Sequence, residues 1–182
     1  LAHIEDLSTD PILPDDRFHE ELTALVGQIH PFSEDLYEKE YFLEKKWQQV
    51  SDRDPSTRLH IFREGGEYLE SIDGNVLMGN WSILVNSNTM IFEKAGLGGS
   101  SEKRLYELAF LNEDFFILKK HGNRKGFENQ FLVLGREPIV NGLHWEETLD
   151  LIGTRYKNNQ KLIRTIVLAI ALIILYFIFS SL

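Results

Sequence analysis

Cysteine is absent from this 182-residue chain. That excludes disulfide staples, thiolate metal centres and cysteine nucleophiles together. A basic excess is absent too: 28 acids against 19 Lys and Arg leave a net charge of -9, so the electrostatic footprint of a nucleic-acid binder is missing. Neither Gly-x-Ser-x-Gly nor His-Glu-x-x-His occurs, which removes the familiar signatures of a serine hydrolase and a zinc protease. The opening residues, LAHIEDLSTDPILPDD, have no basic n-region and no long apolar core, so no export signal is read there. What is present, 43% hydrophobic and 26% charged residues, is the composition of one folded domain with appendages. The acid is concentrated at the front: residues 1–57 carry a net charge of -9 and residues 58–160 only -2.

Charge disappears altogether at the other end. From Thr165 to Leu182 the chain reads TIVLAIALIILYFIFSSL, 18 residues without Asp, Glu, Lys, Arg or His and with twelve Leu, Ile, Val and Phe side chains. As a helix this run spans roughly 27 Å, about the hydrocarbon thickness of a bilayer. Insertion of those side chains contributes about -4 to -7 kcal/mol. A single transmembrane helix over 163–182 is therefore expected, with no ion pathway through it. Arg155, Lys157, Lys161 and Arg164 precede it and no charge follows it. These four are expected at the headgroups, which makes a tail-anchored protein with its bulk cytoplasmic and its C-terminus across the membrane.

Ahead of the anchor the hydrophobic period changes twice. Residues 1–14, with Pro11 and Pro14, read as an extended lead-in. Phe18, Leu22, Leu25, Val26 and Ile29 mark one face of a helix that Pro31 ends. Leu36, Leu43, Trp47 and Val50 share a face of a second helix capped by Ser33, so 15–52 is expected to form a helical hairpin. From Arg58 the period falls to 2. Seven aromatic and β-branched runs follow (58–63, 67–72, 77–85, 89–94, 103–111, 114–121 and 127–134), separated by turns too short for crossover helices. That predicts an antiparallel meander over 58–136, closed into a small barrel because closure removes sticky edges. Trp81, Ile83 and Val85, then Tyr106, Leu108 and Phe110, then Phe116 and Leu118, alternate as its aromatic interior. Trp145, Leu149, Ile152 and Tyr156 return to helical spacing, giving an amphipathic helix and linker over 144–160, with Gly153 as a point of bending.

The stretch 59–134 resembles bacterial lipocalin-like domains. LHIFREGGEYLESI, MGNWSILVNSNTMIFEK and RLYELAFLNEDFFILKK carry the likeness, with Gly79 and Trp81 in the positions of the Gly-x-Trp motif. Two strands precede that motif here, whereas it opens the barrel in classical lipocalins. A pleckstrin-homology-like domain is the alternative: seven strands and one helix, with Trp145 capping the barrel.

Few residues point to chemistry. Lys119, Lys120, Arg124 and Lys125 crowd the loop 119–125, either as contacts for headgroups or an acidic partner or as a solvated hairpin tip. The glycine-rich stretch 95–101 lacks the P-loop lysine and reads as a hairpin loop. His144 and Glu147 have a spacing metal sites use, but no second pair supports them, and no cofactor or metal is expected. His60 reads as a satisfied barrel histidine. Tyr37, Tyr41, Phe42 and Trp47 give the hairpin more aromatic surface than one buried face needs, so they are expected to face a partner. The functional expectation is a non-catalytic, membrane-tethered interaction module, an accessory or assembly subunit of a membrane protein complex. The alternative is a tethered lipocalin-like barrel that binds a small apolar ligand or lipid.

Overall fold

Strands of period 2 leave an unpaired row of N–H and C=O groups at each end of a meander, and closure must find partners for both. The structure, a computed structural model, describes residues 14–95, 101–122 and 130–180. Within it the seven expected strands appear as β2 (Arg58–Phe62), β3 (Glu67–Ile72), β4 (Asn75–Ile83), β5 (Thr89–Ala95), β6 (Ser101–Leu111), β7 (Phe115–Lys120) and β8 (Phe131–Arg136). An eighth strand, β1 (Trp47–Val50), pairs antiparallel with β2 on one side and β8 on the other and closes the barrel in sequence order. The protein is mainly β, an eight-stranded antiparallel barrel with helices.

β1 corrects the expected hairpin. The first helix forms as α1 (Pro14–Ile29), but the second does not: 30–32 and 39–41 are single 3-10 turns, and Glu44 has a left-handed φ of 55° that no helix continues through. Ser33 starts no second helix: its backbone N–H closes the 30–32 turn on His30 O, and its hydroxyl accepts the Leu111 amide at 2.9 Å. Residues 33–46 instead cross one end of the barrel as a plug. The plug is held by Glu34 N–H to Leu111 O at 2.9 Å and Glu44 N–H to Phe62 O at 2.8 Å. Leu36 and Phe42 point from it into the barrel, as Trp47 does from the start of β1, all fully buried. Phe42 and Trp47 are therefore core residues, not the partner-facing aromatics expected. Tyr41 is half-buried against the same core, and Tyr37 alone of the four is exposed, at 54%.

The interior is apolar at the plugged end. Phe42 packs on Phe62, Trp81 and Phe116 with ring centroids 5.3–5.8 Å apart. Trp81 donates its indole N–H to Arg63 O at 2.9 Å, and Gly79, opposite Lys94 in the register, leaves room for a Cβ-less approach: a Cβ there would meet Glu93 O at 2.5 Å. The expected inward faces hold for Trp81, Tyr106, Leu108, Phe116 and Leu118, but not for Phe110 or Val85. A bulge between Leu108 and Phe110 inserts one residue in β6, turning Leu111 inward and Phe110 outward. Val85 lies past the end of β4, 80% exposed.

Phe110 joins a second core on the outer wall, where Phe115, Ile117 and Val133 meet Leu22 and Ile29 of α1 and Leu149 and Ile152 of α3 (Trp145–Ser180). A short turn, α2 (Glu137–Val140), leads to α3. Phe18 meets Trp145 at 5.2 Å and Phe32 meets Tyr156 at 5.0 Å, so α1 and α3 run side by side in the same direction. The barrel-packing face expected from Trp145 to Tyr156 is thus correct. Trp145 packs on this outer wall and caps no barrel end, which departs from the pleckstrin-homology-like alternative. α3 continues as helix through Gly153. The span expected over 163–182 is not found: among the described residues no helix is long and apolar enough to cross a membrane. Side chains of α3 are described up to Tyr156 and again over 164–178, where Ile166 to Ile178 present exposed apolar groups.

Candidate functional site

The end of the barrel opposite the plug is open and lined by charge. Its inward positions turn from apolar to polar along one strand after another: Phe62 to His60 and Arg58, Phe92 to Lys94, Leu108 to Tyr106 and Arg104, Leu118 to Lys120. Period-2 alternation keeps these polar groups on the inner face, so they converge on one cavity of about 500 Å³. Gln49, Tyr68, Glu70 and the β1–β2 loop residues Ser51, Arg53 and Asp54 complete the polar lining.

Burial dictates how these groups pair. His60 is 2% exposed, and both ring nitrogens are engaged, Nδ1 with the Tyr68 hydroxyl at 2.6 Å and Nε2 with Gln49 Oε1 at 3.1 Å. An amide oxygen can only accept, so Nε2 carries the proton and the tyrosine donates to Nδ1. The satisfied histidine expected here is present, but at the floor of a polar cavity. Glu70, 4% exposed, bonds Lys94 and lies 3.7 Å from Arg58, which also meets Asp54 at 2.7 Å. Burial raises the Glu70 pKa, but Lys94 above all, then His60 and Arg58, hold it below the ordinary carboxylate value. Arg104 is gripped from outside the cavity by Glu102, at 2.7 and 3.0 Å.

Burial also holds the His60 pKa down from 6.5 to about 4, against the attraction of Glu70 and with the repulsion of Lys94 and Arg58. The unfolded chain takes up this proton near pH 6.5 and the folded chain only near pH 4. Stability is therefore complete above pH 6.5 and is lost as pH falls from 6.5 towards 4, by about 3 kcal/mol. Urea unfolding at pH 7.5 and 4.5 should show this loss in the native chain and not in His60→Gln.

The other residues singled out in the sequence are scattered. Lys119 is exposed on the outer face of β7 and Lys120 lines the cavity, while Arg124, Lys125 and the glycine-rich residues 96–100 lie outside the described residues, as do 1–13 and the side chains of Lys157 and Lys161. Arg155 is paired with Asp114 beside the Phe115 ring. Arg164 is exposed. Glu147 accepts the His144 backbone N–H at 2.8 Å, which makes that pair a helix cap. Among the described residues no cluster of three metal-ligating side chains occurs.

No family model, curated protein or solved structure matches this chain. The eight-stranded antiparallel barrel is consistent with a lipocalin-like fold, with three strands rather than two ahead of Gly79 and Trp81. Sequence reasoning missed the cavity, although its signal was there: five strands carry a charge at one end, on the same parity as the aromatic core.

Proposed function

We propose that the chain is a non-catalytic, membrane-tethered interaction module on the cytoplasmic side, an accessory or assembly subunit of a membrane protein complex, with residues 163–182 crossing the bilayer. One observation carries this reading. The helix that docks on the barrel through Leu149 and Ile152 continues into a stretch where every described apolar side chain from Ile166 to Ile178 is exposed. Water is a poor solvent for a helix that is apolar all round, and hydrocarbon is a good one. The uncharged run 165–182 extends past the described side chains, which end at 178, and its 18 residues have the length of a span; Lys157, Lys161 and Arg164 ahead of it favour a cytoplasmic barrel. For the partner, exposed Tyr37 borders a groove of about 520 Å³ walled by Leu43, Ile83 and Trp81.

Fractionation tests the tether. The full chain is expected in the membrane pellet and to resist alkaline carbonate, and deletion of 165–182 should move at least about nine-tenths of it to the supernatant. A full chain recovered in the supernatant overturns the reading. Purification in mild detergent at native expression, with mass spectrometry, tests the partner: a lone monomer would count against a subunit.

A second reading, a barrel that binds a small ligand, is supported by the open cavity. The apolar part of the interior, where an apolar ligand or lipid was expected, is filled by the chain's own rings.

A further inference from the structure

We propose that the open mouth of the barrel is a binding site for a small aromatic anion, a phosphate or carboxylate carried on a flat apolar body. This rests on the reading of the cavity as a ligand site. The first support is charge. Arg53, Arg58, Lys94, Arg104 and Lys120 line the cavity against two carboxylates, Asp54 and Glu70, in a chain whose net charge is -9. Gathering like charge in one concave mouth raises its energy unless a counter-charge enters, and the low-dielectric walls focus the field outward onto anions.

Among the described residues, the carboxylates present leave one cation of the mouth, Lys120, without a counter-charge in contact. Glu70 is taken by Lys94 and Asp54 by Arg58, while Arg104 finds its carboxylate, Glu102, outside the lining. The Lys120 backbone N–H donates to Gln130 O at 2.7 Å, while its ammonium, half-buried and inward on β7, is in no salt bridge among the described residues. His60 is neutral at pH 7 and adds an uncharged floor.

The shape and chemistry of the walls define the body of the ligand. Phe92, Tyr106, Phe131 and Leu132 supply apolar surface beside the cations. A volume of about 500 Å³ suits a small molecule. Below it the rings of Tyr68 and Phe92 stack at 5.1 Å and those of Phe62 and Tyr68 lie 5.4 Å apart. This floor stops an acyl chain from threading down the barrel axis and so selects a compact aromatic body over a lipid tail.

Calorimetric titration of the full chain in non-ionic detergent tests the assignment with phenyl phosphate as the probe and inorganic phosphate and benzylamine as controls. Phenyl phosphate is expected to bind one to one below about 1 mM, inorganic phosphate at least about tenfold more weakly, and benzylamine not at all. Lys120→Gln should weaken phenyl phosphate about tenfold or more, by loss of one charge-assisted contact, without changing the melting temperature. Lys119→Gln, one residue along on the outer face, should leave it unchanged. Equal binding of benzylamine, equal binding of inorganic phosphate, undiminished affinity in Lys120→Gln, or equal weakening in Lys119→Gln overturns the aromatic-anion site and leaves a ligand-binding barrel standing. No heat from any probe at about 10 mM overturns both readings.

Discussion

Trp47→Ala is expected to destabilise the protein by about 3–5 kcal/mol, close to the largest loss a single truncation produces. The side chain is fully buried, its indole N–H donates to Phe42 O at 3.0 Å, and its ring lies 5.8 Å from that of Phe116. It also sits on β1, whose four residues close the barrel against both β2 and β8. Removing the anchor of so short a strand leaves a cavity and frees two edges together. Tyr37→Ala, ten residues earlier on exposed chain, should change stability by no more than about 0.5 kcal/mol. Urea unfolding followed by near-UV circular dichroism, which reads the aromatic core, separates the two. Comparable effects of the two substitutions would contradict the plugged barrel and restore a helical hairpin.

Lys94→Met should cost about 3 kcal/mol, whereas the double variant Glu70→Leu/Lys94→Met should lie within about 1 kcal/mol of the native chain. Glu70 is only 4% exposed, so losing Lys94 strands a carboxylate in a poorly solvated site. Arg58, 3.7 Å away, limits the damage but remains shared with Asp54. Removing both partners removes the desolvation with the attraction, and two apolar side chains extend the aromatic floor. A double variant as unstable as the sum of the single ones would mean that the ion pair is not a coupled unit. The double variant bears on the anion site as well, because loss of the whole pair leaves the charge balance of the mouth unaltered.

The strands were legible because their signal is local. Period-2 runs such as RLHIF and EYLES, bounded by Gly, Asn and Asp turns, specify both the strand and the face each residue takes. β1 was not legible, because WQQV offers too short a run to show a period, and Leu36, Leu43, Trp47 and Val50 happen to fit a helix. The hydrogen-bond demand of two distant edges, β2 and β8, settled the matter, and no window of sequence contains both. Phe110 was misassigned for a related reason. Alternation extrapolates through a bulge, and the need to cover the helices with Phe110 and Ile117 on the outer wall places the bulge at Ala109.

The chain alone determined a meander of alternating strands, an amphipathic helix at each end of it, and an uncharged apolar run at 165–182, since each depends on residues within a few positions of one another. Only the tertiary structure decided which groups meet. Arg58, Glu70, Lys94, Arg104 and Lys120 come from five strands across more than sixty positions of sequence, and closure of the barrel is what turns their shared parity into one charged mouth. Phe42 and Trp47 passed from expected partner contacts to core in the same step, because a barrel has two ends and the segment next to its first strand was close enough to fill one.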